Sequence, residues 1–297
     1  MKKEGKKAFF LVFALWLMLI LSLFCLGLGF RTYISTRKTK LILNNTRSFY
    51  LSFSGIKIGR GLLIKDKDDS LSDHLGEDWA RSPSFESEYR FTSPFSEGSL
   101  KVMISDESAR ININKADPTI LKTLFSGLEN SQEAVESFLY YCGKAESFET
   151  DASRKGEELY VLEELLLVQG IDLEAYDSLK DFITVDTSDA KININTVDRR
   201  LLNSLIDSLG LLDPQAAKAE IFDVLDREEG YFGPGRDMFP PAALQEDDKK
   251  KLSNLFKTNT DIFRIISEAE VRGCKKKITC VVDRNRDRLE TLYWYEE

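Results

Sequence analysis

Carboxylates are the side chains this sequence offers most freely for chemistry. They gather in three acidic stretches: Asp66-Lys67-Asp68-Asp69, Glu146 to Asp151, and Asp213 to Asp226. Alternating carboxylates such as Asp66 and Asp68 can chelate a hard divalent cation, and a solvated acidic loop has the same composition. No stretch singles itself out as a ligand set, so no metal residues are assigned. His74 is the only histidine and has no cysteine near it, which argues against zinc and against a histidine-based catalytic centre. There is no G-x-S-x-G, no Walker loop and no cysteine–histidine constellation, so the chain reads as a non-enzyme. Cys25 lies in an apolar run and Cys142 in a helical stretch, while Cys274 and Cys280 stand six apart near the C-terminus. Outside the cytoplasm those last two can pair if strand geometry brings them together.

The elements that must hold these residues begin with an anchor. Phe9 to Phe30 is 22 residues without a charge, with Ser22 its one hydroxyl. At about 1.5 Å per residue it spans roughly 33 Å, enough for a hydrocarbon core of about 30 Å. Lys2, Lys3, Lys6 and Lys7 precede it and favour a cytoplasmic N-terminus, although Arg31, Arg37, Lys38 and Lys40 follow it. A cleaved secretory signal has a shorter apolar region, about 7–15 residues, and a small-residue cleavage site that is missing here. Ile34, Leu41, Ile42, Phe49, Phe53 and Ile56 then continue at helical spacing, so one helix runs from the membrane into the soluble part.

Beyond residue 40 the chain holds 33 basic and 48 acidic residues, a net charge of -15, which repels phosphate backbones. The chain divides into a basic leader (1–8), a transmembrane helix (9–30), its continuation (31–65), a loop with strands (66–108), a helical block (109–257) and closing strands (258–297). Glu88–Thr92 and Leu100–Ile104 read as strands. From Asp117 to about Phe256 the apolar spacing is helical. Phe263–Val271, Lys277–Val282 and Leu289–Tyr295 then read as an antiparallel meander, interrupted at Arg272-Gly273 and at Arg284-Asn285-Arg286-Asp287. The pattern is α+β: a small antiparallel sheet on the N-terminal helix, with an all-helical domain inserted into it.

A repeat organises that insert. Ala109-Arg110-Ile111-Asn112-Ile113-Asn114-Lys115-Ala116-Asp117 recurs as Ala190-Lys191-Ile192-Asn193-Ile194-Asn195-Thr196-Val197-Asp198 at an offset of 81, which also carries Leu121, Leu124 and Leu128 onto Leu202, Leu205 and Leu209. Repeats 109–128 and 190–209 each predict an extended lead-in whose isoleucines enter the core, then a helix. The second asparagine and the aspartate are placed to satisfy orphan amides at the helix start. The lead-in resembles helix-hairpin-helix modules, which bind DNA phosphate through a Gly-x-Gly turn. Here the turns at Gly127, Gly170 and Gly210 carry one glycine each, and Asp172 stands where a second would be. With the negative charge, this makes a competence-type DNA receptor the weaker alternative, and no nucleic acid is expected as a partner.

The chain as a whole resembles the minor pseudopilin K family of type II secretion systems. The resemblance is carried by Ala8-Phe9-Phe10-Leu11-Val12-Phe13-Ala14-Leu15-Trp16, Asp106-Glu107-Ser108 with the first Ile-Asn-Ile-Asn, the second Ile-Asn-Ile-Asn, Leu159 to Ile171, Phe182-Ile183-Thr184-Val185, and the closing Leu292-Tyr293-Trp294-Tyr295-Glu296-Glu297. It implies a pilin-like helix and sheet interrupted by a helix-hairpin-helix or SAM-like domain. It also implies prepilin peptidase cleavage between Ala8 and Phe9, with Ala8 in place of the family's usual glycine. Position five of the processed chain is then Phe13 rather than the glutamate of most major pilins, which fits a subunit with none above it. The implied place is the tip of a periplasmic pseudopilus, anchored singly in the inner membrane and initiating assembly. Implied partners are the I- and J-type minor pseudopilins, the major pseudopilin, the inner-membrane secretion platform and secreted substrates. Calcium is the cofactor the resemblance allows, since some members bind it.

Overall fold

The computed structural model describes the chain except for residues 1–3, 70, 81–88, 94–95, 149–152, 228–229, 235–238, 240–243 and 286–288. One helix, α1 (Glu4–Asp69), runs without a break from before the apolar span to the far end of the sheet. No proline falls in it, and by length and composition it is apolar enough to cross a membrane. Side chains along the span are exposed, Phe9 at 73% and Leu26 at 71%, as expected of a surface meant for lipid.

From Ser48 onward α1 changes character, because it must lie close to a sheet. Ser48, Ser52, Gly55 and Gly59 recur at helical spacing on the covered face, and both serines are fully buried. Ser52 Oγ donates to the Ser267 carbonyl oxygen at 2.7 Å. Larger residues here would hold the helix off the strands. The sheet comprises β1 (Tyr89–Ser93), β2 (Ser96–Asp106), β7 (Ile262–Val271), β8 (Cys274–Asp283) and β9 (Glu290–Glu296), antiparallel in the order β1-β2-β7-β8-β9. The meander read from the sequence is therefore present. Its β7–β8 turn uses positive φ at both Arg272 (47°) and Gly273 (83°), the backbone that matches strand twist in a two-residue hairpin. Leu100, Val102, Ile104, Phe263, Ile265, Ile278, Cys280 and Val282 face α1 in one apolar core with Ile56, Leu63 and Trp79.

The insert occupies the connection between β2 and β7. A 3-10 turn (Glu107–Ala109) leads into β3 (Ile111–Asn112), α2 (Pro118–Phe125), α3 (Ser131–Tyr141), a second 3-10 stretch (Leu162–Leu167), α4 (Leu173–Leu179) and β4 (Ile183–Thr184). The second half repeats the plan with β5 (Ile192–Asn193), α5 (Arg199–Ser208), α6 (Pro214–Leu225), α7 (Glu246–Leu255) and β6 (Phe256–Lys257). The four repeat isoleucines are buried, Ile111 and Ile113 at 2% and 0%, Ile192 and Ile194 at 1% each, within a second apolar core. Each contributes about 1.5–3 kcal/mol. Two cores, one under the sheet and one in the insert, leave a polar seam between them.

The Cys274–Cys280 pairing that the sequence leaves open is excluded by strand geometry. Both residues lie on β8, six positions apart, so about 20 Å of extended strand separates them, and a disulfide needs Cα atoms within about 7 Å. All four cysteines are free.

Candidate functional site

In each repeat the lead-in pairs with a short parallel strand further along the chain. Ile111 and Asn112 pair with Ile183 and Thr184, and Ile192 and Asn193 with Phe256 and Lys257. The aspartates cap as expected: Asp117 Oδ1 accepts from Thr119 and Ile120 N–H at 2.7 and 3.0 Å, and Asp198 Oδ1 from Arg200 and Leu201. The second asparagines do not cap helices, contrary to expectation. Asn114 forms a two-bond clamp with Leu159, donating Nδ2 to its carbonyl and accepting its N–H, both at 2.9 Å. Asn195 does the same with Phe232, at 3.0 and 2.8 Å. The reason is local: Asn112 and Asn193 turn Oδ1 back onto the N–H of Asn114 and Asn195, which aims the second amide away from the helix start. Leu159 and Phe232 are 73 apart, as are Ile183 and Phe256, so the repeat extends to partners at a different offset from the lead-ins.

The seam between insert and sheet is built from charges. Glu107, fully buried, accepts from Arg264 Nε at 2.5 Å, Arg110 Nη1 at 2.8 Å and Thr184 Oγ1 at 2.6 Å, tying β7, the first 3-10 turn and β4 together. Asp106 Oδ2 accepts from Asn193 Nδ2 at 2.9 Å and from the hydroxyls of Thr196 and Thr260. Burial pushes the Asp106 carboxyl above its ordinary range despite these donors. Burial and the neighbouring Glu107 charge raise Asp186 to about 6, against Arg264 and Arg110. Neither Asp106 nor Glu107 carries a periodic signal. The first ends a strand, the second opens the stretch preceding the repeat, and only the fold brings them to Arg264 and Asn193.

A third carboxylate group joins the end of α1 to this seam. Oxygens of Asp66, Asp73 and Glu77 lie within 4.8 Å of one another, the spacing a cation would need. The Arg284 guanidinium already bonds them: Nη1 donates to Asp66 at 2.7 Å, and Nη2 donates to Asp73 at 2.5 Å and to the Thr260 carbonyl at 2.8 Å. Its Cζ lies over the Phe263 ring, 4.6 Å from the ring centroid. Glu77 Oε2 accepts from Trp79 Nε1 and His74 N–H, while Oε1 is buried, has no hydrogen-bond donor among the described residues and lies 3.9 Å from His74 Nε2. Burial dominates at Asp73 and raises its carboxyl to about 7, with Arg284 and the Thr260 N–H opposing. Calcium takes six to eight oxygens. A guanidinium with two of the three carboxylates committed to it does not leave that set, so these residues do not fit calcium. The side chains of Asp68 and Asp69 and residues Glu149 to Asp151 lie outside the described residues.

The helix-hairpin-helix turns are closed to phosphate in the same manner. Asp172 Oδ1 accepts from Ala175 N–H at the start of α4, and Asp213 Oδ1 from Ala216 N–H at the start of α6. Glu129, Asp172 and Glu174 line the cleft beside Gly127 and Gly170. Carboxylates stand where a phosphate would be held. Ala8 and Phe9 fall inside the unbroken helix α1, with Phe9 exposed and the Ala8 side chain outside the description.

No family model matches this chain. Type II secretion system protein K of Pseudomonas aeruginosa is 24% identical over an alignment that covers 96% of this chain and 91% of that protein. The chain is a relative of type II secretion system protein K. A crystal structure of the GspK–GspI–GspJ complex from enterotoxigenic Escherichia coli shares the fold, with a TM-score of 0.66 and 18% identity over 88% of this chain and 99% of that one. The resemblance read from the two Ile-Asn-Ile-Asn segments and the closing strand therefore holds across nearly the whole length, and so does the expected α+β class.

Proposed function

We propose that this chain is the K-type minor pseudopilin of a type II secretion system, seated at the tip of a periplasmic pseudopilus, where it initiates assembly and helps export folded proteins. The observation that carries this reading is the helical insert between β2 and β7, borne on a pilin-like helix and sheet. A block of that size at one end of the inner strands would collide with neighbours in a packed filament and is free only at an end. Phe13, in place of the glutamate that pairs with a neighbour's amine, supports the same position.

In this reading prepilin peptidase cuts between Ala8 and Phe9, the chain spans the inner membrane once, and the domain beyond Phe30 lies in the periplasm. Its partners are the I- and J-type minor pseudopilins, as in the complex of the Escherichia coli protein, together with the major pseudopilin, the inner-membrane platform and secreted substrates. Its work is assembly, not catalysis, and no step in it is routed through calcium. Co-purification with the I- and J-type subunits of the same host tests the reading. A stable ternary complex is expected, along with loss of secretion on deletion. Intact secretion and pseudopili in the deletion strain would sink it. A competence-type DNA receptor predicts instead a low-salt gel shift with purified protein, which the Asp172 and Asp213 caps oppose.

A further inference from the structure

The bases that follow the membrane span have no role in the filament reading. No aspartate or glutamate occurs between Glu4 and Asp66, whereas Arg31, Arg37, Lys38 and Lys40 come within ten residues of the end of the span at Phe30. From Asp66 onward the chain carries 29 basic and 48 acidic residues, so a basic stem carries an acidic head. All four cations are exposed on unbroken helix. Arg37 lies 5.6 Å over the ring of Tyr33, itself 57% exposed, and a tyrosine at this depth is typical of the membrane–water interface.

Distance and direction decide what these cations meet. If Phe30 marks the hydrocarbon edge, Arg31 emerges among the headgroups and Lys40 stands about 15 Å further out at about 1.5 Å per residue. Long side chains that reach back toward the interface bring all four within about a Debye length of headgroup phosphates. At about 100° per residue they cover roughly half the helix circumference. That is wider than the stripe of about 100° by which a helix typically packs on one neighbour. A broad belt fits a lipid surface better than a single protein partner.

We propose that Arg31, Arg37, Lys38 and Lys40 form a collar for anionic phospholipid headgroups in the leaflet from which α1 emerges. The collar fixes the depth of the helix, while the acidic head is repelled from the same surface and stands clear of it. Each cation close to an anionic surface favours it by roughly fivefold.

The test uses the full-length chain in bilayers of phosphatidylcholine with about 30% phosphatidylglycerol, which gives an anionic surface. Spin-labelled lipids report the ratio of phosphatidylglycerol to phosphatidylcholine in the shell around the protein. The wild type is expected to enrich phosphatidylglycerol severalfold at low salt. With the label chemically reduced on the side of residues 1–8, so that only the other leaflet is read, R31Q/R37Q/K38Q/K40Q is expected to lose most of this, while K2Q/K3Q/K6Q/K7Q, altered on the opposite side, keeps it. Equal enrichment in the wild type and the first variant, or loss only in the second, would overturn the collar. Inorganic phosphate matched in ionic strength to chloride is expected to leave the enrichment unchanged. If it competes specifically, the site is one for free phosphate and the lipid assignment falls. The side chains of Arg31, Arg37, Lys38 and Lys40 are exposed, and an unchanged melting temperature confirms that both variants are folded.

Discussion

At Gly55 the long helix lies so close to the sheet that a methyl group there would stand 2.1 Å from Ser267 Oγ and 2.9 Å from both Leu100 Cδ1 and Val102 Cγ2. Gly61, six residues on, has no atom of the described residues within 4 Å of the same position apart from its own stretch of helix backbone. Gly55→Val is therefore expected to destabilise by about 1–3 kcal/mol through overpacking, whereas Gly61→Ala gains up to about 1 kcal/mol of helix propensity. Calorimetry of the two variants in detergent checks this, and equal melting temperatures would refute the packing argument. Asn114 offers a second contrast. Asn114→Ala removes both partners of the Leu159 backbone at a buried position, at a cost of roughly 2–4 kcal/mol. The accompanying signature is faster amide hydrogen exchange at Leu159, with Phe232 in the other repeat unaffected. Exchange rising equally at both sites would mean that the clamps are not local.

Between elements, the seam should respond to pH in a definite direction. Asp73 at about 7 and Asp186 at about 6 both hold protons more tightly folded than an ordinary carboxylate does. Their contribution to stability is then fully present below about pH 4 and is lost as pH rises through 6 and 7. The melting temperature is expected to fall between pH 5 and pH 8, and Asp186→Asn to flatten that slope. A rise over the same interval would contradict the assignment. The long helix, the meander and the repeat lead-ins were legible in the sequence because each imprints a local period: 3.6 along α1, two along β7, and a duplicated nonapeptide. The seam was not. Arg284 and Asp66 are 218 residues apart, and Arg284 sits in what reads as a turn. The strands Ile183–Thr184 and Phe256–Lys257 are too short to show any period. For the second asparagines the sequence shows only the local solution, a helix cap, whereas the Asn114 amide is spent on a loop 45 residues away.

For the molecule as a whole, the Arg284 contacts predict indifference to divalent cations. The full-length protein is expected to melt at the same temperature in millimolar calcium and in excess EDTA, while Arg284→Ala, which vacates the space between Asp66 and Asp73, is expected to gain a calcium-dependent rise. A rise in the wild type would show that calcium displaces the guanidinium or binds elsewhere. The connection through which the insert leaves the sheet has a different consequence. Asp106 and Phe263 are register partners on adjacent antiparallel strands, so everything between them departs and returns through a gap one strand spacing wide. Geometrically the helical block is a graft on a hairpin. A lineage could lose it, exchange it or enlarge it without rethreading the pilin-like part, and a tight turn joining β2 to β7 should close the scar, provided that the polar residues of the seam are replaced along with it.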